Sequence, residues 1–367
     1  MKPVLVNTIA PLIERKHVQG EEGVRLCGAN TGNACFADAI QNQLDTNLEV
    51  DCYKIQEWED KEKFVFVLPA SNWINSDGRV LRRTFLPLEN TDVNLLTLGI
   101  GIQMNIDDRL TDFVSRLGQD TIRALHILSE HSRYIGVRGN ITGECLDMLH
   151  IHNWKVIGCP SFYEPYRKNS GVWKLREPTL SKPIINVTPG RTSEHKIIKY
   201  GYNRKILFMM QAMADMPLSI WEDKDIEQRH IEQKFPGLSI IQPGELKEYI
   251  KKYGNIFFTA NEWSDFLRKG DFSFSVGSRF HGNMMALIND IPALWIMHDA
   301  RTKELIEAMN LPYVMPDDVN KSISLEELMA NCHYDDKFYT KYKELSRQYV
   351  ELLNVCNVQH TFGDISD

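Results

Sequence analysis

The segment Phe272–Lys303 (FSFSVGSRFHGNMMALINDIPALWIMHDARTK) gathers reactive side chains at two loop positions. An apolar run ends in Gly277-Ser278, and Arg279-Phe280-His281-Gly282 opens a helical pattern. The free N–H groups and positive dipole end of a helix start favour an anion there. Arg279 adds a planar fork for a carboxylate or phosphate. His281 can carry a proton near neutral pH. Ser278 suits the helix cap, and Gly282 lets a ligand approach the backbone. The next apolar run, Ala293–Met297, ends in His298-Asp299-Ala300-Arg301, a second polar loop with another arginine. Taken alone, this block also fits a capped helix with a surface arginine and a packing histidine.

Two further constellations bear on that choice. Gly28-Ala-Asn30-Thr-Gly32-Asn33 is a glycine-containing turn before the helical pattern Ala34–Leu44. It suits close backbone approach by a ligand, or a simple Asn/Gly turn. Tyr134–Val137 is an apolar run ending in Arg138-Gly139, so a third arginine stands at a strand end. Three arginines at three strand ends, with a histidine, describe a pocket for a small dianion or trianion. Neither the G-x-G-x-x-G fingerprint nor a P-loop occurs, which disfavours an NAD-dependent oxidoreductase.

These loops need a scaffold that brings strand ends together. Short apolar runs alternate with amphipathic stretches along the chain. The runs are Pro3–Asn7, Phe64–Pro69, Leu95–Gly101, Tyr134–Val137 and Lys155–Gly158, then Pro183–Val187, Lys205–Met209, Leu238–Ile241, Asn255–Thr259, Phe272–Val276 and Ala293–Met297. Strands apolar on both faces and separated by helices make parallel sheets. Two such series predict an α/β protein with two doubly wound Rossmann-like domains and a cleft at the strands' carboxyl ends. The expected division is 1–175 for an N-terminal domain on the acceptor side and 176–330 for a donor-side domain. A helical tail, 331–367, either caps the second domain or crosses back to the first. The aperiodic stretch Phe162–Lys182 reads as the linker.

At 367 residues the chain exceeds one small domain. It has 42 Lys+Arg against 49 Asp+Glu, a net charge of −7, which argues against a nucleic-acid partner. Its hydrophobic content of 43% and charged content of 25% exclude disorder and collagen-like sequence. No apolar run approaches the ~18 residues of a transmembrane span, and the N-terminus lacks a signal-peptide pattern. The seven cysteines contain no C-x-x-C pair, so neither a disulfide framework nor a zinc site is signalled and a reducing cytoplasm is expected.

Gly277-Ser-Arg-Phe-His-Gly282, with Ala286, Pro292 and His298-Asp-Ala-Arg301, resembles the C-terminal signature of the polysaccharide pyruvyl transferases. In that family the pattern is S-R-x-H, a helix, G-x-P, a strand and Y-D-x-K/R. Asn30-Thr-Gly32-Asn33 resembles its N-x-G-D turn, Ile135–Gly139 its strand ending in R-D, and Gly158-Cys-Pro-Ser161 its G-D-P-A segment. The resemblance spans roughly residues 28–310 and implies a glycosyltransferase-B-like architecture. It implies transfer of the enolpyruvyl part of phosphoenolpyruvate onto two sugar hydroxyls, giving a pyruvate ketal in cell-surface polysaccharide synthesis. His281 is then the general acid. Arg138, Arg279, Arg301, Ser278, Gly282, Asn30, Gly32 and Asn33 are substrate-binding candidates. Phosphoenolpyruvate is the donor co-substrate, with neither cofactor nor metal called for. The acceptor is a sugar, whether free or carried on a lipid at the inner face of the membrane. Asn33 and Gly139 each replace a family carboxylate, which leaves acceptor contacts open. Two rivals remain: a nucleotide-sugar glycosyltransferase of the same architecture, and a non-catalytic binding member of the family.

Overall fold

All the strand pairings between named strands are parallel, so every strand end that matters to chemistry points to the same edge of its sheet. The computed structural model describes residues 1–169, 173–186, 188, 194–212, 227–234, 241–321 and 324–363. Among the described residues, the first sheet holds β1 (Lys2–Asn7), β2 (Glu49–Asp51), β3 (Phe64–Pro69), β4 (Asn94–Ile100), β5 (Ile135–Val137) and β6 (Trp154–Val156), in the order β2-β1-β3-β4-β5-β6. The second holds β7 (Pro183–Ile185), β8 (Leu207–Met209), β9 (Gly254–Asn255), β10 (Phe274–Gly277), β11 (Ala293–Ile296) and β12 (Tyr313–Val314), in the order β12-β11-β10-β7-β8-β9. Both orders reverse direction once, between β1 and β3 and between β7 and β10. These are the two switch points at which α/β sheets open a crevice. The chain thus forms two doubly wound units, glycosyltransferase-B-like in layout, and the change of sheet lies between Val156 and Pro183.

The sequence pattern follows from burial. Val4–Val6, Val65–Leu68 and Phe274–Val276 are buried, as strands covered by helices on both faces must be. Differences from the expected boundaries have local causes. The amphipathic stretch between the runs Leu95–Gly101 and Tyr134–Val137 breaks into two helices, Leu110–Ser115 and Gln119–Glu130, with Gly118 extended between them. The linker stretch contains a helix, Glu164–Asn169. The expected strand Pro183–Val187 ends at Ile185, and residue 187 lies outside the described residues. The expected strand Leu238–Ile241 lies outside them except for Ile241. β2 and β12, with three and two residues, are too short to leave a pattern in the sequence.

The tail crosses back. Its helix Asp336–Val355 stacks Tyr349 on Tyr163 at 4.2 Å between ring centroids. The Tyr349 hydroxyl donates to Gln43 Oε1 at 2.8 Å, and Thr361 N donates to Gln43 O at 2.9 Å. One hydrophobic core therefore runs from Leu5 and Leu96 of the first sheet, through Ile184 and Trp295 of the second, to Tyr342 and Leu353 of the tail.

Candidate active site

The carboxyl ends of the two sheets face each other across a cleft of about 430 Å³, lined among others by Asn30, Asn33, Asn72, Arg138, His281 and Arg301. Each arrives by a separate route. The turn at 28–33 uses left-handed backbone at Gly28 and Ala29 (φ 66° and 65°). Asn30 Oδ1 accepts from Gly32 N at 2.9 Å, and Asn33 Nδ2 donates to Cys27 O at 2.9 Å. The turn is tied to the second unit, because Thr31 N donates to Gln211 O at 2.7 Å.

His281 is carried by the helix Phe280–Leu287, whose start is fixed by a polar network beneath it. Asn186 Nδ2 donates to Ser275 Oγ at 2.7 Å, and Ser275 Oγ donates to Asn283 Oδ1 at 2.7 Å. Asn283 Nδ2 in turn donates to Gly277 O at 2.8 Å. All three side chains are buried, so the helix start cannot tilt without breaking paired groups. Gly32 lets the two helix starts meet, and Gly282 lets the second one seat on Asn186. A Cβ on Gly32 would lie 3.1 Å from His281 Cβ, and one on Gly282 would lie 2.1 Å from Asn186 Oδ1.

The imidazole of His281 lies between aromatic, thiol and cationic neighbours. Its ring centroid is 5.3 Å from that of Phe36, and Nε2 is 3.7 Å from Cys159 Sγ. Burial, then Arg138, then Arg301 push its pKa well below the ordinary histidine value. Arg138 is buried, with Nε donating to Gly99 O at 2.8 Å and Nη1 to Asn72 Oδ1. Burial lowers its pKa to about 10, which still leaves it charged at neutral pH.

Arg301 donates to Asp299 Oδ2 at 3.2 Å. Asp299 caps the helix Ala300–Met309, its Oδ1 accepting from Thr302 N at 2.7 Å, and His298 Nε2 stands 3.2 Å from the same Oδ2 that Arg301 holds. Burial alone would raise the Asp299 carboxyl; contacts from His298, Arg301 and Thr302 outweigh it and hold the carboxyl low. Asp299 is thus kept ionised near neutral pH and aims Arg301.

The structure brings Asn30, Asn33, Arg138, His281 and Arg301 into one cleft. Gly32 and Gly282 lie in the helix starts that carry Asn33 and His281 and do not themselves line it, and Ser278 and Arg279 follow β10 at the β7/β10 switch point. Ser278 is buried with its hydroxyl 3.1 Å from Thr188 Oγ1, and Arg279 N donates to Asn186 O at 2.9 Å. Neither is among the residues lining the cleft. Sequence reasoning missed Asn72, Gln103 and Cys159. Asn72 and Gln103 follow β3 and β4, so the switch-point rule applied to every strand end would have found them. Cys159 lies in the Gly158–Ser161 segment, but nothing there signals its place beside His281, since a buried thiol is ordinary core.

A family model described as polysaccharide pyruvyl transferase matches residues 30–300. The chain belongs to that family. No curated protein matches it. Among solved structures it is similar to the S. aureus MnaA–UDP co-structure, at 10% identity and TM-score 0.44 over 99% of this chain and 93% of that one. It is also similar to UDP-GlcNAc 2-epimerase from Methanocaldococcus jannaschii, at 10% identity and TM-score 0.44, covering 97% of this chain and 100% of that one. A third is a UDP-N-acetylglucosamine 2-epimerase from Listeria monocytogenes, described as putative, at 10% identity and TM-score 0.44 over 97% and 96%. Among the described residues, no helix is long and apolar enough to cross a membrane.

Proposed function

We propose that this polysaccharide pyruvyl transferase takes phosphoenolpyruvate as donor and builds a cyclic pyruvate ketal on a sugar. The observation that carries the reading is the meeting of Arg138 and Arg301 around His281 in one cleft, each from a different strand end. Phosphoenolpyruvate offers a carboxylate and a phosphate to two arginines whose charges otherwise repel. His281 gives its proton to the methylene carbon, which becomes a methyl group and leaves an oxocarbenium-like centre at C2. One acceptor hydroxyl bonds to C2 and releases its proton, and the C2–O bond to phosphate breaks. The second hydroxyl then closes the ring. Donor plus diol gives ketal plus inorganic phosphate, so atoms balance without redox chemistry. A positioned acid contributes about 10²–10⁴-fold to such a step.

The acceptor's entry is assigned to the polar cavity of about 630 Å³ that shares Gln103 with the anion cleft. Its walls include Asn105, Asp108 and Arg116, with Phe113 beside them, a mixture that suits a polyhydroxylated ring. The test is to incubate the protein with phosphoenolpyruvate and a panel of free and lipid-linked glycosides. The expected result is release of phosphate with a product heavier by pyruvate less water. Absence of both across the panel, with no phosphoenolpyruvate binding by calorimetry, overturns the reading.

A further inference from the structure

Two carboxylates cross between the units in opposite directions. Asp38, on the first unit's helix Gly32–Gln43, accepts from Ala260 N at 2.8 Å, the first residue of the second unit's helix Ala260–Lys269. Asp38 is ion-paired with buried Arg15, which also donates to Phe258 O at 2.7 Å. Glu304 returns the contact. It is carried by the second unit's helix Ala300–Met309 and accepts from Thr142 N at 3.0 Å and the Thr142 hydroxyl at 2.8 Å. Thr142 lies in the first turn of the first unit's helix Asn140–Met148. Glu304 is 1% exposed, and its hydrogen bonds come from Thr142 while Arg138 reaches it through charge.

We propose that Glu304 is a positioning residue that fixes the spacing of Arg138 and Arg301 by gripping the first unit directly behind the anion cleft. This rests on reading that cleft as the donor site. The grip falls on both sides of Arg138. A Cβ on Gly139 would lie 2.6 Å from Glu304 Cβ and 2.8 Å from its carbonyl oxygen. A Cβ on Gly101 would lie 3.1 Å from Glu304 Oε1 and 2.8 Å from Arg138 Cδ. Bare glycines therefore let the second unit's helix seat against the loops that hold the arginine. Thr142 Oγ1 also accepts from Ile102 N at 3.1 Å, extending the grip to the segment after β4.

On its own helix, Glu304 sits one turn after Arg301, so one rigid element carries both a cleft arginine and the grip on its counterpart. Arg301 lowers the pKa of Arg138 through like charge. This repulsion works to part the units. A buried carboxylate bonded across the junction opposes it. Asp38 holds the units at the Arg15 side through the helix Gly32–Gln43, which carries neither cleft arginine, so Glu304 alone of the two couples unit spacing to arginine spacing.

The test uses the full chain and phosphoenolpyruvate binding by calorimetry, with thermal unfolding run alongside. Glu304→Ala should weaken binding roughly ten-fold while the protein remains folded, the size of change expected for a residue coupling two sites. Glu304→Gln keeps an acceptor oxygen at the same reach and should bind within about two-fold of wild type, whereas Glu304→Asp, one methylene short, should not be rescued. Thr142→Val should weaken binding less, and should add little on top of Glu304→Ala, because the two changes break one contact. Wild-type affinity in folded Glu304→Ala overturns the proposal. If Glu304→Ala does not fold, Thr142→Val carries the same comparison. If wild type itself does not bind phosphoenolpyruvate, the proposed function fails separately. The grip is then judged by small-angle scattering: a larger radius of gyration in the Glu304 and Thr142 variants supports it, and an unchanged one overturns it.

Discussion

His281 meets a thiol and two guanidinium groups, and among the described residues no carboxylate lies within hydrogen-bonding distance of it. Its pKa is therefore lowered in the free protein, and the ring is neutral near pH 7. A bound dianion reverses the local field and raises it again. Under the proposed function, the proton source is then armed by its own substrate. His281→Gln should keep phosphoenolpyruvate binding and lose turnover by at least about 100-fold, as expected when a positioned acid is removed. Near-normal turnover in that variant would make His281 a packing residue, with His298 the next proton carrier to examine. Loss of either cleft arginine acts differently. Arg138→Ala and Arg301→Ala should each weaken donor binding by about 1.5–3 kcal/mol, the range for a hydrogen bond to a charged group. Calorimetry on the two variants checks this.

Glu304 gives a second residue-scale outcome, this time in stability. Burial raises its pKa to about 7, above the ~4.3 of an unfolded chain. The folded state then binds the proton more tightly than the unfolded state. Glu304's contribution is full below about pH 4 and is lost as pH rises through about 7. Glu304→Gln cannot ionise, so its unfolding midpoint should gain on wild type between about pH 4 and pH 7 and level off above. A constant difference across that range counts against the raised pKa.

Elements explain how strand ends hold their aim. β10 runs into the helix Phe280–Leu287 through Gly277, and a Cβ there would stand 1.9 Å from the carbonyl oxygen of Asn186. The partner is backbone of the adjoining chain after β7, which cannot rotate away. Gly277→Ala should destabilise the protein by at least about 2 kcal/mol, as overpacking a fixed site does. It should also disturb His281, because the displaced Asn186 anchors the network under that helix. Denaturant unfolding measures the first effect and phosphoenolpyruvate affinity the second. Caps add to the same control. Asp299 and Thr259 accept backbone N–H groups at the starts of their helices, and in Asp299 the cap also aims Arg301.

At the scale of the whole molecule, the two units are joined by a shared core, crossed carboxylates and a returning tail. The Arg15–Asp38 pair shows what the junction tolerates. Both side chains are buried, at 2% and 5% exposure, so removing one leaves the other charged without compensation. Asp38→Ala should cost about 3–5 kcal/mol. The same change also removes the acceptor for Ala260 N, so both units should respond together in a single unfolding transition. Separate melting of the two units in this variant would show that the crossed carboxylate, not the shared core, couples them.

The sequence by itself determined the α/β class, most strand positions, and the three arginines and histidine with chemical potential. Those are local properties: apolar runs register burial, and a charged residue ending such a run registers a strand's carboxyl edge. Phe64–Pro69 was readable as β3 for that reason. Tertiary structure alone decided which candidates share a space. Arg138 and Arg301 lie 163 positions apart in the chain and meet because two switch points face each other, whereas Arg279, two positions from His281, does not line the cleft. The roles of Cys159, Gln211 and Glu304 were invisible because each is an ordinary residue in its own segment. Their significance comes from neighbours more than 90 residues away, and the one-dimensional pattern carries no trace of a contact across the junction. Likewise the tail's helix was legible from its periodicity, but its return to the first unit was settled by the burial of Tyr349 against Tyr163.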